Sequence, residues 1–148
     1  MRTNFPNLLL LLALVSGAAG CESSAETPAM PASSQPAAID LSTHQWKDRV
    51  IVIFAPAAAD ANAVQQRASL EADPQAIAGR DLVVIEVIGD LPNATALRRQ
   101  YGVPVDQFAV LLIGKDGGEK LRAAAPVEPS EIFRLIDSMP MRQREIRQ

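Results

Sequence analysis

The 148-residue chain predicts an α/β domain, a three-layer sandwich with a mixed central sheet in the order β-α-β-α-β-β-α. Three observations predict it. Two runs rich in β-branched residues, 50–54 and 82–88, flank a stretch with helical spacing, as in a strand-helix-strand crossover. A third apolar run, 108–113, leads into Lys115-Asp116-Gly117-Gly118, the strongest turn signal in the chain. A last amphipathic stretch offers Ile132, Phe133, Leu135 and Ile136 to cover the sheet. With 48% hydrophobic and 21% charged residues, the chain has material for one ordinary core and no second domain of comparable size.

Taken in order, Leu41 and Trp46 are apolar anchors ahead of the first strand, and Trp46 is expected as a lid on the core. The run 50–54 reads as a strand buried on both faces, broken by Pro56. Asp60 is expected to cap a helix carrying Ala61, Val64 and Ala68 on its inner face and ending near Pro74 or Gly79. The second buried strand, 82–88, closes at Gly89. Asn93 or Thr95 should open a short helix that runs through Leu97 to Tyr101 and stops at Gly102 and Pro104. After the third strand, the Asp-Gly-Gly turn returns 119–123 antiparallel. Pro129 and Ser130 begin the final helix with Ser130 as its cap, Pro140 stops it, and Arg142, Arg144 and Arg147 form a solvated basic terminus.

The N-terminal part reads as an address. Arg2, the apolar run 8–15 and the small residues 16–20 fit an export signal, and that run is too short for a membrane span. Cys21, the single cysteine, follows Ala18-Ala19-Gly20 directly. This resembles the lipobox of bacterial lipoproteins, with Ala18 where that motif usually carries Leu. Two outcomes are open: an acylated Cys21, or cleavage near Ala19 that leaves a stray thiol. An oxidising export compartment favours the first. Residues 21–38, rich in Ala, Pro, Ser and Thr, have no apolar periodicity and are expected to be a flexible tether to a domain at 39–148. The expected location is the cell envelope or periplasm, with membrane attachment through the acyl group.

The element order is similar to that of the thioredoxin fold. The stretch 50–55 resembles the strand leading into the thioredoxin active site, and Arg99-Gln100-Tyr101-Gly102-Val103 resembles the end of the following helix. More specifically, Gly114-Lys115-Asp116-Gly117-Gly118 with Lys120, Arg80-Asp81, and Ile136-Asp137 followed by Met139-Pro140-Met141-Arg142 resemble the DUF4174 family. The resemblance spans about 40–147 and implies a thioredoxin-like fold. It assigns no activity, so the motif residues Lys115, Asp116, Gly117, Met139, Pro140, Met141 and Arg142 carry no role from it. The domain type is also similar to modules of vertebrate extracellular sushi-repeat proteins.

The residues argue against several chemistries. Where thioredoxins hold their reactive thiols stand Pro56-Ala57-Ala58-Ala59-Asp60, and disulfide exchange and thiol peroxidation both require a thiolate. The proline that precedes the third strand in thioredoxins is replaced by Ala109 or Gln107, depending on the direction of counting. His44 is the single histidine and cannot form a metal cluster, and Met139 and Met141 around a proline read as packing more readily than as a soft-cation site. No catalytic residue, metal or cofactor is expected. The net charge of −3 lacks the basic footprint of a nucleic-acid binder. These readings point to a non-redox binding or accessory module with an envelope protein as partner; the alternative is an envelope enzyme with a site outside thiol chemistry.

Overall fold

The computed structural model describes residues 39–148, so the expected export signal, Cys21 and the expected tether lie outside the described residues. The sheet order is β2-β1-β3-β4. Strand β1 (Arg49–Ala55) is buried along its whole length. It pairs in parallel with β2 (Leu82–Ile88), Arg49 standing opposite Leu82 and Ala55 opposite Ile88. It pairs antiparallel with β3 (Ala109–Ile113), which turns through the glycine hairpin into β4 (Glu119–Ala123). A continuous apolar run is what a strand covered on both faces requires, since every side chain meets a packed layer.

The two faces divide β1 by parity. Ile51 and Ile53, with Val110 and Leu112, pack against Ala63 and Leu70 of α1 (Ala61–Glu71) and Ile132 and Ile136 of α4 (Pro129–Ser138). Val50, Val52 and Phe54 face Ala94 and Leu97 of α3 (Pro92–Tyr101). Full burial of Ile132 and Ile136 contributes roughly 1.5–3 kcal/mol each and seats α4 on the sheet. This is the expected thioredoxin-like three-layer sandwich with a mixed sheet. Gly102 ends α3 at φ 63°, a left-handed conformation that costs a glycine nothing.

Several expectations are corrected. Trp46 is no lid: it is 66% exposed, at φ 66°, with its backbone N–H donating to the Lys115 carbonyl at 2.6 Å. The inner face of α1 is Ala63, Gln66 and Leu70, while Ala61, Val64 and Ala68 are exposed. The buried Gln66 amide explains this shift, donating to the Val127 carbonyl at 3.0 Å and accepting its N–H at 2.6 Å. A separate short helix, α2 (Pro74–Ala78), stands between the two expected stops. Strand β2 is an edge, with Val83 to Glu86 only half-buried. Helix α3 opens at Pro92 rather than at an Asn93 or Thr95 cap, and α4 is preceded by Glu128, with Ser130 inside it. Pro140 does more than stop α4. It is the first residue of α5 (Pro140–Ile146), so the basic terminus is helical.

Candidate functional site

Two ends of β1 are candidates. At its C-terminal end, where the thioredoxin resemblance would put reactive thiols, Asp60 caps α1, its carboxylate accepting the N–H groups of Asn62 at 3.0 Å and Ala63 at 3.1 Å. An anion arriving there would meet a carboxylate already holding those donors. Behind it Arg98, 3% exposed, donates to the carbonyls of Ala55 and Pro104 at 2.7 Å, Gly89 at 2.9 Å and Val87 at 3.3 Å, and its guanidinium lies 5.4 Å from the Phe54 ring centre. Burial lowers its pKa. This end is closed by hydrogen bonds among its own groups.

The opposite end gathers the three sequence motifs. Arg49 begins β1 with its side chain 1% exposed, donating to the Arg80 carbonyl at 2.9 Å and to both Glu145 oxygens at 3.1 and 3.2 Å. Lys115, in the turn two residues after β3, reaches Asp81 and Glu145, each at 2.8 Å. Arg80 grips Asp137 through two bonds, 2.5 and 3.1 Å, and its guanidinium stacks 4.6 Å from the Phe133 ring centre. Arg142 stands 3.5 Å from Asp137 and 3.6 Å from Glu145, its Nε buried without a hydrogen-bond partner. Lys120 donates to Asp116 at 2.6 Å. The cluster sets six cations (Arg49, Arg80, Lys115, Lys120, Arg142, Arg144) against four carboxylates (Asp81, Asp116, Asp137, Glu145).

Local backbone geometry serves this end. The only non-glycine residues with positive φ among those described, Trp46 and Asp81 (φ 46°), both lie here, and the Asp81 carbonyl accepts the Arg49 N–H at 2.7 Å. Such conformations cost of order 1 kcal/mol each and persist where surrounding contacts hold them. Gly117 takes φ 78° in the hairpin, with Gln45 donating to the neighbouring Asp116 carbonyl at 3.3 Å.

The carboxylates are held ionised. Lys115 holds Asp81 below its ordinary range, Arg80 does so for Asp137, and Lys120 for Asp116. Burial works to raise Glu145, but Lys115 and Arg49 outweigh it and hold it low. Burial likewise works against the Lys115 ammonium, and its two carboxylate partners outweigh that and raise its pKa.

Beside this network lies an open hollow of about 390 Å³. Its polar wall carries Arg49, Lys115, Lys120, Arg144 and one carboxylate, Asp116; Met139, Pro140 and Met141 form an apolar wall. Lys115, Asp116, Met139, Pro140 and Met141 therefore meet at one place. Gly117 shapes the adjoining turn and Arg142 stands behind the wall. The reading of Lys115 as a turn residue is too narrow, because its ammonium bridges two acidic residues from separate segments. His44 lies half-buried outside the hollow, its Nδ1 2.9 Å from Asp48. Reasoning from the sequence misses Arg49, Arg98 and Glu145. A charged residue heading a fully apolar strand was the available signal for Arg49.

Residues 40–145 match the domain of unknown function DUF4174. The chain belongs to the DUF4174 family. Among curated proteins, the DUF4174 chain is 29% identical over 117 residues to the sushi repeat-containing protein SRPX of Rattus norvegicus and to that of Homo sapiens, covering 68% of this chain and 25% of each relative. It thus spans about a quarter of the length of those relatives. Among solved structures it is similar to a reduced 2-Cys peroxiredoxin of Plasmodium vivax (TM-score 0.58, 16% identity, 72% of this chain and 85% of the other). It is also similar to thioredoxin peroxidase I of Plasmodium yoelii (TM-score 0.58, 18% identity, 72% and 80%). At such identity the likeness shows the fold alone.

Proposed function

We propose that this DUF4174 chain is a non-redox, thioredoxin-like binding module of the bacterial cell envelope, attached through an acyl group at Cys21, whose working surface is the charged end of β1. The observation that carries the reading is the split between the two ends. The stretch from Pro56 to Asp60 offers a helix cap in place of a thiolate, and Arg98 occupies the carbonyls behind it. The motif residues and the hollow gather at the other end.

An envelope enzyme working without thiols is the second reading, favoured by the Asp, Arg and Lys side chains around the hollow. The electrostatics favour binding over it. General acid–base catalysis works best with a group that titrates near the working pH, and Asp81, Asp116, Asp137 and Glu145 are all held low by cations. Lys115 is held protonated, which denies it a nucleophile's lone pair.

Three measurements test the proposal. The purified chain is expected to reduce neither insulin nor hydrogen peroxide in a thiol-coupled assay, and turnover above a boiled control would refute the non-redox reading. Cys21→Ser is expected to abolish fatty-acid labelling and move the chain from the membrane to the soluble fraction; unchanged labelling and fractionation would refute the anchor. Capture of an envelope protein by the wild-type chain, lost on Lys120→Glu, is the expected sign of a partner at this surface.

A further inference from the structure

The hollow at the charged end of β1 sets two chemistries side by side. On one wall Lys120 and Arg144 are the more exposed cations; Lys120 shares its ammonium with Asp116 at 2.6 Å, the one carboxylate lining the hollow. Arg144 has no carboxylate within ion-pair distance among the described residues; its Nε reaches only the Pro140 carbonyl at 3.3 Å. Behind them Arg49 and Lys115 are locked to Glu145 and Asp81, so the polar wall is braced from within. On the other wall the half-buried Met139 and Met141 present flexible, polarisable thioethers that fit irregular apolar shapes. The cluster has two more cations than carboxylates in a chain whose net charge is −3, so this end is locally positive on a negative molecule.

A second hollow, about 470 Å³ between α1, α2 and β2, is larger and also apolar on one side, with Leu70, Ile77 and Val84. There a single cation, Arg67, faces two lining carboxylates, Glu71 and Glu86, and is engaged in two bonds to Glu86, so no positive excess is left for an anionic ligand. Volume does not separate the two hollows; unmatched charge does.

Resting on the binding-module reading, we infer that the β1-end hollow binds a small amphiphilic carboxylate. The carboxylate lies against Lys120 and Arg144, and the hydrocarbon lies along Met139 and Met141. Charge-assisted hydrogen bonds supply the discrimination by sign, and burial of the chain supplies the discrimination against the bare headgroup.

The probe is sodium octanoate, titrated below its micelle concentration into the ¹⁵N-labelled full chain carrying Cys21→Ser, so that no attached acyl group competes. Saturable shifts are expected at the amides of 114–120 and 139–144. Acetate should bind far more weakly, and octyltrimethylammonium, with a chain one carbon longer and the opposite charge, should leave those amides unmoved. The exposed pair Lys120→Gln with Arg144→Gln should weaken octanoate by about tenfold or more. An equal response to octyltrimethylammonium overturns the inference, as do shifts centred elsewhere, a response that never saturates, or unchanged affinity in the double variant. The comparison of the two probes uses unaltered hollow residues, so it decides even if the double variant is misfolded. Failure here leaves the thiol assays untouched, and thiol turnover would fail the module reading by itself.

Discussion

Each end of β1 is finished by a buried arginine, and the two arginines do opposite things. Arg98 closes the C-terminal end with neutral carbonyls, partners that neither titrate nor carry charge to be screened. Arg49 closes the N-terminal end with one carbonyl and one carboxylate, and that carboxylate is shared with Lys115. The first end is a fixed joint. The second depends on protonation and salt, and its network borders a hollow. A chain that keeps a thioredoxin-like frame without its thiols has thus sealed one end and elaborated the other.

The sharpest way to break this contrast is Arg98→Met, which strands several buried carbonyls at once. A loss of about 4 kcal/mol or more is expected, enough to leave the chain largely unfolded in a denaturant titration. A loss below about 1 kcal/mol would mean that the seal is cosmetic. Next comes Arg49→Met, expected to cost about 3 kcal/mol because Glu145 keeps only part of its compensation while half-buried. Adding Glu145→Gln to it should recover part of the loss, and a strictly additive double variant would show that the two residues do not couple.

Acid should separate the ends without mutation. Asp81, Asp137 and Glu145 hold folded values below their ordinary 3.8 and 4.5, so the unfolded chain binds more protons as the pH falls through that range. Their contribution is complete above about pH 5 and is lost as the pH drops through the lowered folded values. Hydrogen exchange at decreasing pH should release α5 and the β3–β4 turn before α3, which Arg98 holds. Simultaneous release would erase the distinction. The smallest effect is expected for Trp46→Ala: as an exposed residue it should change stability by less than about 0.5 kcal/mol in thermal melts, where a core lid would cost about 3–5 kcal/mol.

Much of the frame was legible because strands here are written in β-branched residues. Residues 82–88 were placed to the residue and the central strand within one at each end; 119–123, which has no β-branched residue, was placed to the residue by the Asp-Gly-Gly turn before it. The face of α1 was not legible, because it turns on Gln66, a polar residue whose amide satisfies the Val127 backbone across the core; apolar periodicity cannot register such a residue. Trp46 misled for a related reason. Its size argues for burial, but its backbone is tied to Lys115 in a left-handed conformation that turns the indole outward. The motif residues were found, but their meeting was not, since Arg49, Asp81, Lys115 and Glu145 are brought together only by the sheet order and the turn at Pro140. A helix as short as α5 gives little periodic signal.

The sheet's two borders are unequally guarded. Strand β4 presents Glu119, Lys120 and Arg122 along its length, charges that repel a neighbouring strand. Strand β2 runs Leu-Val-Val-Ile-Glu-Val-Ile with one charge, Glu86, and that charge is bound to Arg67 of α1. Before α1 docks, this segment is a seven-residue apolar template with one gatekeeper, the kind of sequence that recruits identical chains into aggregates. Glu86 is the one charge that interrupts that run, so its carboxylate serves the sheet border as well as the ion pair with Arg67.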